Sequence, residues 1–269
     1  MQQVKFDEID FHVDRNTGVA VLTLNRSEVH NALNATIRYE MNKAVELVAV
    51  DEDIRALVLT GSGTKSFSVG ADLKSPDSNH SVSEFDKYVA GKSHKTEWYD
   101  ALCHYPKAVI SAVNGYCAGS GLQLALTADI MIGSQTATFW VPQVSLGLAP
   151  HVGTMIKLAR MIGQQRMLEM ILTGRRIDAQ EALRFGLLSE VVDQGELVAR
   201  ARAIAARIAQ QPPLAVRITK EAYFQGIELT WEQAMRVDGW KEFCMWQTTD
   251  RRQRHQDFAD RKRPPATRT

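Results

Sequence analysis

Apolar residues fall along this chain in two rhythms. Short runs rich in β-branched residues, Val19 to Leu24, Ile54 to Thr60 and Val109 to Val113, predict buried strands. Asp129 to Ile132 and Leu188 to Val192 read the same way. Elsewhere the apolar positions return every three or four residues. Ala35 to Val50, with Ile37, Met41, Ala44, Val45 and Val48, predicts a helix. Gly61-Ser62-Gly63 is a turn, and Phe67-Ser68-Val69 leads into Gly70. The polar stretch Lys74 to Ser83 has no period and contains Pro76 and Asn79, so it predicts a mobile surface loop. A helix follows from about Glu84 to His104 and stops ahead of Pro106. Gly119-Ser120-Gly121 opens another over Leu122 to Thr127, and further helical segments follow Gly153, Gly163 and Asp178, the last a suitable N-cap. From Gly195 onward the pattern is helical: Glu196 to Ala209, Leu214 to Gln225, Trp231 to Met245 and roughly Asp250 to Lys262, with Pro212-Pro213 as a break. Strands mixed with helices, then helices alone, predict an α/β core over residues 1–195 and a helical region over 196–269.

Composition narrows the function classes. The chain has 269 residues and is 45% hydrophobic, enough for a sizeable core. Its formal net charge of +1 offers no general attraction to nucleic acid or to a membrane surface. No apolar run reaches the ~18 residues a membrane span needs. The segment Met1 to Asp10 is polar and lacks an apolar signal-peptide core. Cys103, Cys117 and Cys244 are scattered, so neither a disulfide framework nor a metal-ligand spacing is present, and a cytoplasmic location is expected.

Two segments carry a resemblance. Ala112-Val113-Asn114-Gly115-Tyr116-Cys117-Ala118-Gly119-Ser120-Gly121-Leu122-Gln123 and Phe139-Trp140-Val141-Pro142-Gln143 are similar to the signatures of the crotonase (enoyl-CoA hydratase/isomerase) superfamily. The likeness extends from about Val19 to Pro264. It implies a crotonase-like spiral of ββα units, with C-terminal helices that mediate a homotrimer or, as a dimer of trimers, a homohexamer. It also implies an acyl-CoA thioester as ligand, and no cofactor or metal beyond the coenzyme A that the substrate carries.

In hydratases of that family both segments usually end in glutamate, and the two carboxylates flank the water that is added. Here they end in Gln123 and Gln143. An amide orients water by hydrogen bonds but neither takes up nor releases a proton at neutral pH. The resemblance therefore implies the ligand class more firmly than the reaction.

The rest of the site follows the same comparison. Ser68-Val69-Gly70-Ala71-Asp72-Leu73-Lys74 resembles the family's first oxyanion-hole loop, with the Ala71 N–H as donor and Asp72 close to the adenine through its backbone. Gly70 permits close backbone approach to a ligand. In Gly119-Ser120-Gly121 the middle residue, Ser120, supplies the second N–H, at a helix start where such donors are free. Arg26 and His30 lie in the stretch that contacts the nucleotide end of coenzyme A. Trp140 is placed to shape a flat or bulky acyl site.

Ser145-Leu146-Gly147-Leu148-Ala149-Pro150-His151 looks like the loop where dienoyl-CoA isomerases, some ring-acting isomerases and 4-chlorobenzoyl-CoA dehalogenase place an aspartate deep in the acyl pocket. His151 stands at that position. Histidine titrates near neutrality and both takes and gives a proton. His80, His94 and His104 are weaker candidates. Trp98, Trp240 and Phe243 read as core or pocket walls. The basic residues Arg251, Arg252, Arg254, Arg261, Lys262 and Arg263 read as a solvated helix face, as a phosphate clamp or, least well because interleaved aromatics and a recognised motif are lacking, as a nucleic-acid patch. Three functions stay open: an enzyme of the hydratase/isomerase type, an acyl-CoA-binding protein without chemistry, and a hydrolase or decarboxylase on the same scaffold.

Overall fold

The computed structural model describes residues 5–75, 97–151 and 153–260. Residues 76–83 of the loop expected over Lys74 to Ser83, residues 84–96 of the helix expected over Glu84 to His104, His80, His94, the Trp98 side chain, Arg261, Lys262 and Arg263 lie outside the described residues. The chain divides into two compact units, Met1–Ala209 and Gln210–Thr269.

In the first unit, the strands form two sheets. The strands β1 (Ile9–Asp14), β2 (Val19–Leu24), β3 (Ala56–Gly61), β5 (Ala108–Val113), β7 (Ile130–Ser134) and β10 (Glu190–Val192) form the larger sheet. Its order is β1-β2-β3-β5-β7-β10, parallel except for the hairpin of β1 with β2. The smaller sheet is built from β4 (Ser66–Ser68), β6 (Tyr116–Ala118), β8 (Thr138–Trp140) and β9 (Ile177–Asp178). From β3 to β8 each strand of the large sheet is followed by one of the small sheet. This is the repeated unit that the resemblance implies.

The physical reasons are local. β3 and β5 are buried along their whole length, so they read as continuous apolar runs and not as alternating ones. α1 (Ala35–Val50) starts at Asn34, whose side chain accepts from the Ile37 N–H at 2.9 Å. It buries Ile37, Met41, Ala44, Val45 and Val48, the stripe that the spacing predicts. Only the end of the helix expected before Pro106 is described, as α2 (Glu97–Cys103). α3 (Ser120–Leu126) follows β6. After β8 come α4 (Thr154–Ile162), α5 (Gln164–Thr173) and α6 (Ala179–Phe185). Asp178 caps α6 by accepting from the Glu181 N–H at 2.8 Å. α7 (Leu197–Ala209) buries Leu197, Ala201 and Ala205 and lies against β5, β3 and β2. The helical region expected from residue 196 thus begins with a helix that packs on the large sheet.

The second unit holds α8 (Pro213–Gly226), α9 (Trp231–Trp246) and α10 (Thr249–Ala259). Pro213 sits at the first helical position, where its missing N–H costs nothing. Thr230 and Gln233 close a capping box on α9. Trp231, Trp240, Phe243, Trp246 and Phe258 are exposed. Among the described residues, no helix is long and apolar enough to cross a membrane, and no cluster of three or more metal-ligating side chains occurs.

Candidate active site

The two glycine turns singled out by sequence meet in space. Gly70 has φ of +96°, a backbone conformation that side-chain-bearing residues rarely adopt. A Cβ on Gly70 would stand 2.8 Å from the Ala118 carbonyl oxygen and 2.9 Å from the Ser120 nitrogen. A Cβ on Gly121 would collide with the Ser68 carbonyl. Both glycines therefore serve one purpose, the close approach of residues 68–71 to residues 118–121.

The donors of these loops are set by their pairing. Residue 71 bridges Leu33 in a parallel arrangement. The bridge uses the Gly70 carbonyl, which accepts from the Leu33 N–H at 2.8 Å, and the Asp72 N–H, which donates to the Leu33 carbonyl at 3.1 Å. The N–H of Ala71 takes no part in it. Ser120 is the first residue of α3, where an N–H has no partner within the helix. The Gly119 N–H donates to the Trp140 carbonyl at 3.2 Å, tying β6 to β8 just ahead of the helix.

Gln123 and Gln143 both lie at this junction. Gln123, 1% exposed, is on α3, and Gln143, 8% exposed, follows β8. The Gln143 side-chain nitrogen comes within 3.7 Å of where a Gly119 Cβ would be. Its Oε1 is buried without a hydrogen-bond donor among the described residues. Gln123 Nε2 lies 3.0 Å from His151 Nδ1 and 3.3 Å from the His151 carbonyl oxygen. His151 is thus held against the first glutamine, and its backbone is anchored by Thr154, whose hydroxyl donates to the His151 carbonyl at 2.6 Å. On β6, burial pushes the Cys117 thiol up and so disfavours its thiolate.

Arg26 and His30 are next to the first loop, in a different state from a free basic pair. The Arg26 guanidinium donates to Asp72 at 3.0 Å and to the Ala32 carbonyl at 2.7 Å, and faces Glu8 at 3.2 Å. Burial works against the charged form of Asp72, but the hydrogen bonds from Arg26 and the Lys74 N–H outweigh it and hold the carboxyl below its ordinary range. His30 and Asn31 both take left-handed backbone angles, and His30 Nδ1 is 2.8 Å from Ser66 Oγ.

Asn31 is the residue that sequence reasoning missed. It is fully buried. Its side chain accepts from the Arg26 N–H at 2.9 Å and donates to the carbonyls of Ser62 and Ser66 at 3.1 and 2.8 Å. Its carbonyl accepts from the Ser68 hydroxyl at 2.7 Å. It pins the loop after β2 to β4 and so sets the approach of Gly70. No period marks such a hub.

Two expected binding residues sit at the margin. Leu73 is 62% exposed. The Trp140 ring lies on the face of β8 opposite the buried Phe139, edge-on to Tyr116 at 5.6 Å, with Arg176 stacked over it at 4.3 Å. Its backbone carbonyl, not its ring, is what joins the Gly119 turn.

Known proteins share this arrangement of sheets and turns. The sequence model of the enoyl-CoA hydratase/isomerase family matches residues 14–268. The chain belongs to that family of enzymes, and its fold is that of the crotonase superfamily. It is 36% identical over 225 residues to carnitinyl-CoA dehydratase of Escherichia coli K12, covering 84% of each chain. The same identity and coverage hold for carnitinyl-CoA dehydratase of Salmonella typhi. The enoyl-CoA hydratase of Bacillus anthracis superposes with a TM-score of 0.87 at 30% identity, over 95% of this chain and 97% of that one.

Proposed function

We propose that this protein is an enzyme that acts on an acyl-CoA thioester, in the manner of the hydratases and dehydratases it resembles. In this reading the thioester oxygen is held by the N–H groups of Ala71 and Ser120. Two preorganised donors aimed at one oxygen stabilise the enolate that forms when charge moves onto it, and losing one such donor typically costs about 10²–10³ in rate. His151 is the group that meets the reacting proton. Gln123 and Gln143 orient the substrate or water. The observation that supports the reading is the close packing of Gly70, the neighbour of Ala71, against the Ser120 nitrogen.

The glutamines argue against ordinary hydration by two carboxylates. General acid–base groups contribute about 10²–10⁴ each, so their loss leaves little syn-hydration of a simple enoyl-CoA. Isomerase-like or other histidine-assisted chemistry fits the remaining groups. The exposed Trp231, Trp240, Phe243 and Trp246 favour assembly through α9 into a trimer or a dimer of trimers. Light scattering at micromolar concentration tests that, and a monomer would refute it.

The test of ligand class is thermal. Acyl-CoA thioesters should raise the melting temperature, because a ligand that binds only the native state stabilises it by mass action. Free acids of the same acyl groups should do so far less. No shift with any of several enoyl-, dienoyl- and aryl-CoA thioesters would overturn the reading.

A further inference from the structure

The direction of the Ala71 N–H is set by few contacts. Ala71 pairs with Leu33 in an isolated bridge outside any strand, so two backbone hydrogen bonds to Leu33 hold the peptides on either side of it. Arg26 adds a link across that bridge. Its Nη1 donates to the Ala32 carbonyl at 2.7 Å and to Asp72 Oδ2 at 3.0 Å. One nitrogen thus ties the residue before Leu33 to the residue after Ala71. The second Asp72 oxygen, Oδ1, accepts from the Lys74 N–H at 3.1 Å, so the carboxylate is held at both ends.

The guanidinium is itself fixed from behind. Its Nε faces Glu8 Oε1 at 3.2 Å, and the same oxygen accepts from Asn34 Nδ2 at 2.9 Å. The Arg26 backbone is pinned to Asn31, whose side chain accepts from the Arg26 N–H at 2.9 Å and whose N–H donates to the Arg26 carbonyl at 2.8 Å. The side chains of Arg26 and Asp72 are only 16% and 14% exposed. Charge-assisted bonds sheltered in this way hold their geometry better than an exposed pair does. Two carboxylates face one guanidinium here, so a phosphate brought to Arg26 would meet both of them as well.

We propose that Arg26 is a positioning residue of the oxyanion loop: its guanidinium, backed by Glu8, clamps Asp72 to Ala32 and so aims the Ala71 N–H, and it is not a ligand of the coenzyme A phosphates. The proposal rests on the reading that the Ala71 N–H receives the thioester oxygen. Its consequence is a separation of effects. Loss of the clamp weakens the hold on an enolate oxygen and leaves the grip on the nucleotide end alone.

The experiment uses the full-length protein and acetoacetyl-CoA, a β-ketothioester that loses one α-proton to solvent to give an enolate with its own ultraviolet absorbance. Saturated with this probe, the natural protein should show bound enolate. In Arg26→Gln the enolate-to-keto ratio of the bound thioester should fall about 10-fold, short of the ~10²–10³ of a donor removed outright. Asp72→Ala, which removes the clamped acceptor, should give a similar fall, and the double variant no further one, since the two residues act as a unit. The same falls should appear with acetoacetyl-pantetheine, which lacks the nucleotide and every phosphate. An unchanged ratio in Arg26→Gln would overturn the proposal. So would a loss of affinity for acetoacetyl-CoA that acetoacetyl-pantetheine does not share, the mark of a phosphate contact. If Arg26→Gln fails to fold, Asp72→Ala decides by its own ratio. A natural protein that yields no bound enolate overturns the oxyanion reading and the proposal with it, whereas an enolate that these variants leave unchanged overturns the proposal alone.

Discussion

Replacing Gly70 by alanine adds one methyl group at the point where the two donor loops touch. The new Cβ would stand 2.8 Å from the Ala118 oxygen and 2.9 Å from the Ser120 nitrogen. Carbon and a heavy neighbour rest at about 3.5 Å, so the loops must part by roughly half an ångström. Neither neighbour is a flexible side chain; both are backbone atoms of the β6–α3 turn. A second cost comes from φ of +96° at residue 70, where a side chain adds on the order of 1–3 kcal/mol of strain. Together these predict a fall in melting temperature of roughly 3–10 °C. A site held to within about 0.5 Å loses much of its aim after such a shift. Turnover of an acyl-CoA substrate should drop by about 10², the effect of one misplaced oxyanion donor. Thioester affinity should change far less, because the enolate and not the ground state draws on both donors. The assays are thermal melting, acyl-CoA binding and product formation on the same preparations. A folded Gly70→Ala protein with turnover within twofold of the natural enzyme would refute the claim that these loops form an oxyanion hole.

Three further outcomes follow from the same geometry. Crotonyl-CoA hydration should be very slow in the natural protein and should rise in the double variant Gln123→Glu with Gln143→Glu; brisk hydration by the unaltered chain would show the glutamines are no obstacle. Glu40 is nearly buried and accepts from the N–H groups of Asp7, Glu8 and Ile9 at 2.7, 2.8 and 3.1 Å. Glu40→Ala leaves these donors without their carboxylate and should cost about 2–3 kcal/mol, read by denaturant unfolding, and an unchanged midpoint would contradict the assignment. The Asp72 carboxyl is depressed in the folded state from its ordinary value of 3.8, so its stabilising contribution is present in full above that value and disappears as pH falls through the folded pKa. The melting-temperature gap between the natural protein and Asp72→Asn should shrink as pH falls below about 4; a gap that widens there would reverse the sign of the argument.

The elements easiest to read in the sequence are those whose signals are local. Val19–Leu24 and Ala35–Val50 have the expected bounds, because a buried parallel strand and an Asn34-capped helix each carry their own pattern. β1 was not anticipated: Ile9, Phe11 and Val13 alternate with Asp10, His12 and Asp14 at a charged end of the chain, and only the pairing with β2 makes a strand of them. The strands of the small sheet were mostly missed. β6 and β8 have three residues each and β9 has two, too short to show a period, and they exist because the neighbouring strand supplies their hydrogen bonds. The glycine turns of the site were legible through their motif. The contacts of Gln123 with His151, and of Asn31 with the loop at Ser66–Ser68, join residues far apart in sequence, and nothing at either position announces the other.

The central claim is that proton chemistry on an acyl-CoA thioester runs through His151, in a site whose two carboxylates are absent. The direct measurement compares the natural protein with His151→Ala on a panel of enoyl-, dienoyl- and aryl-CoA thioesters in deuterated water, following product mass and deuterium at the α-carbon. The account predicts conversion or exchange of at least one thioester by the natural protein. It predicts a loss of about 10² or more in His151→Ala, with thioester affinity changed by only a few-fold, the mark of an interaction made mainly in the transition state. Equal turnover by both proteins, or neither product nor exchange from any thioester that the natural protein binds, would contradict it.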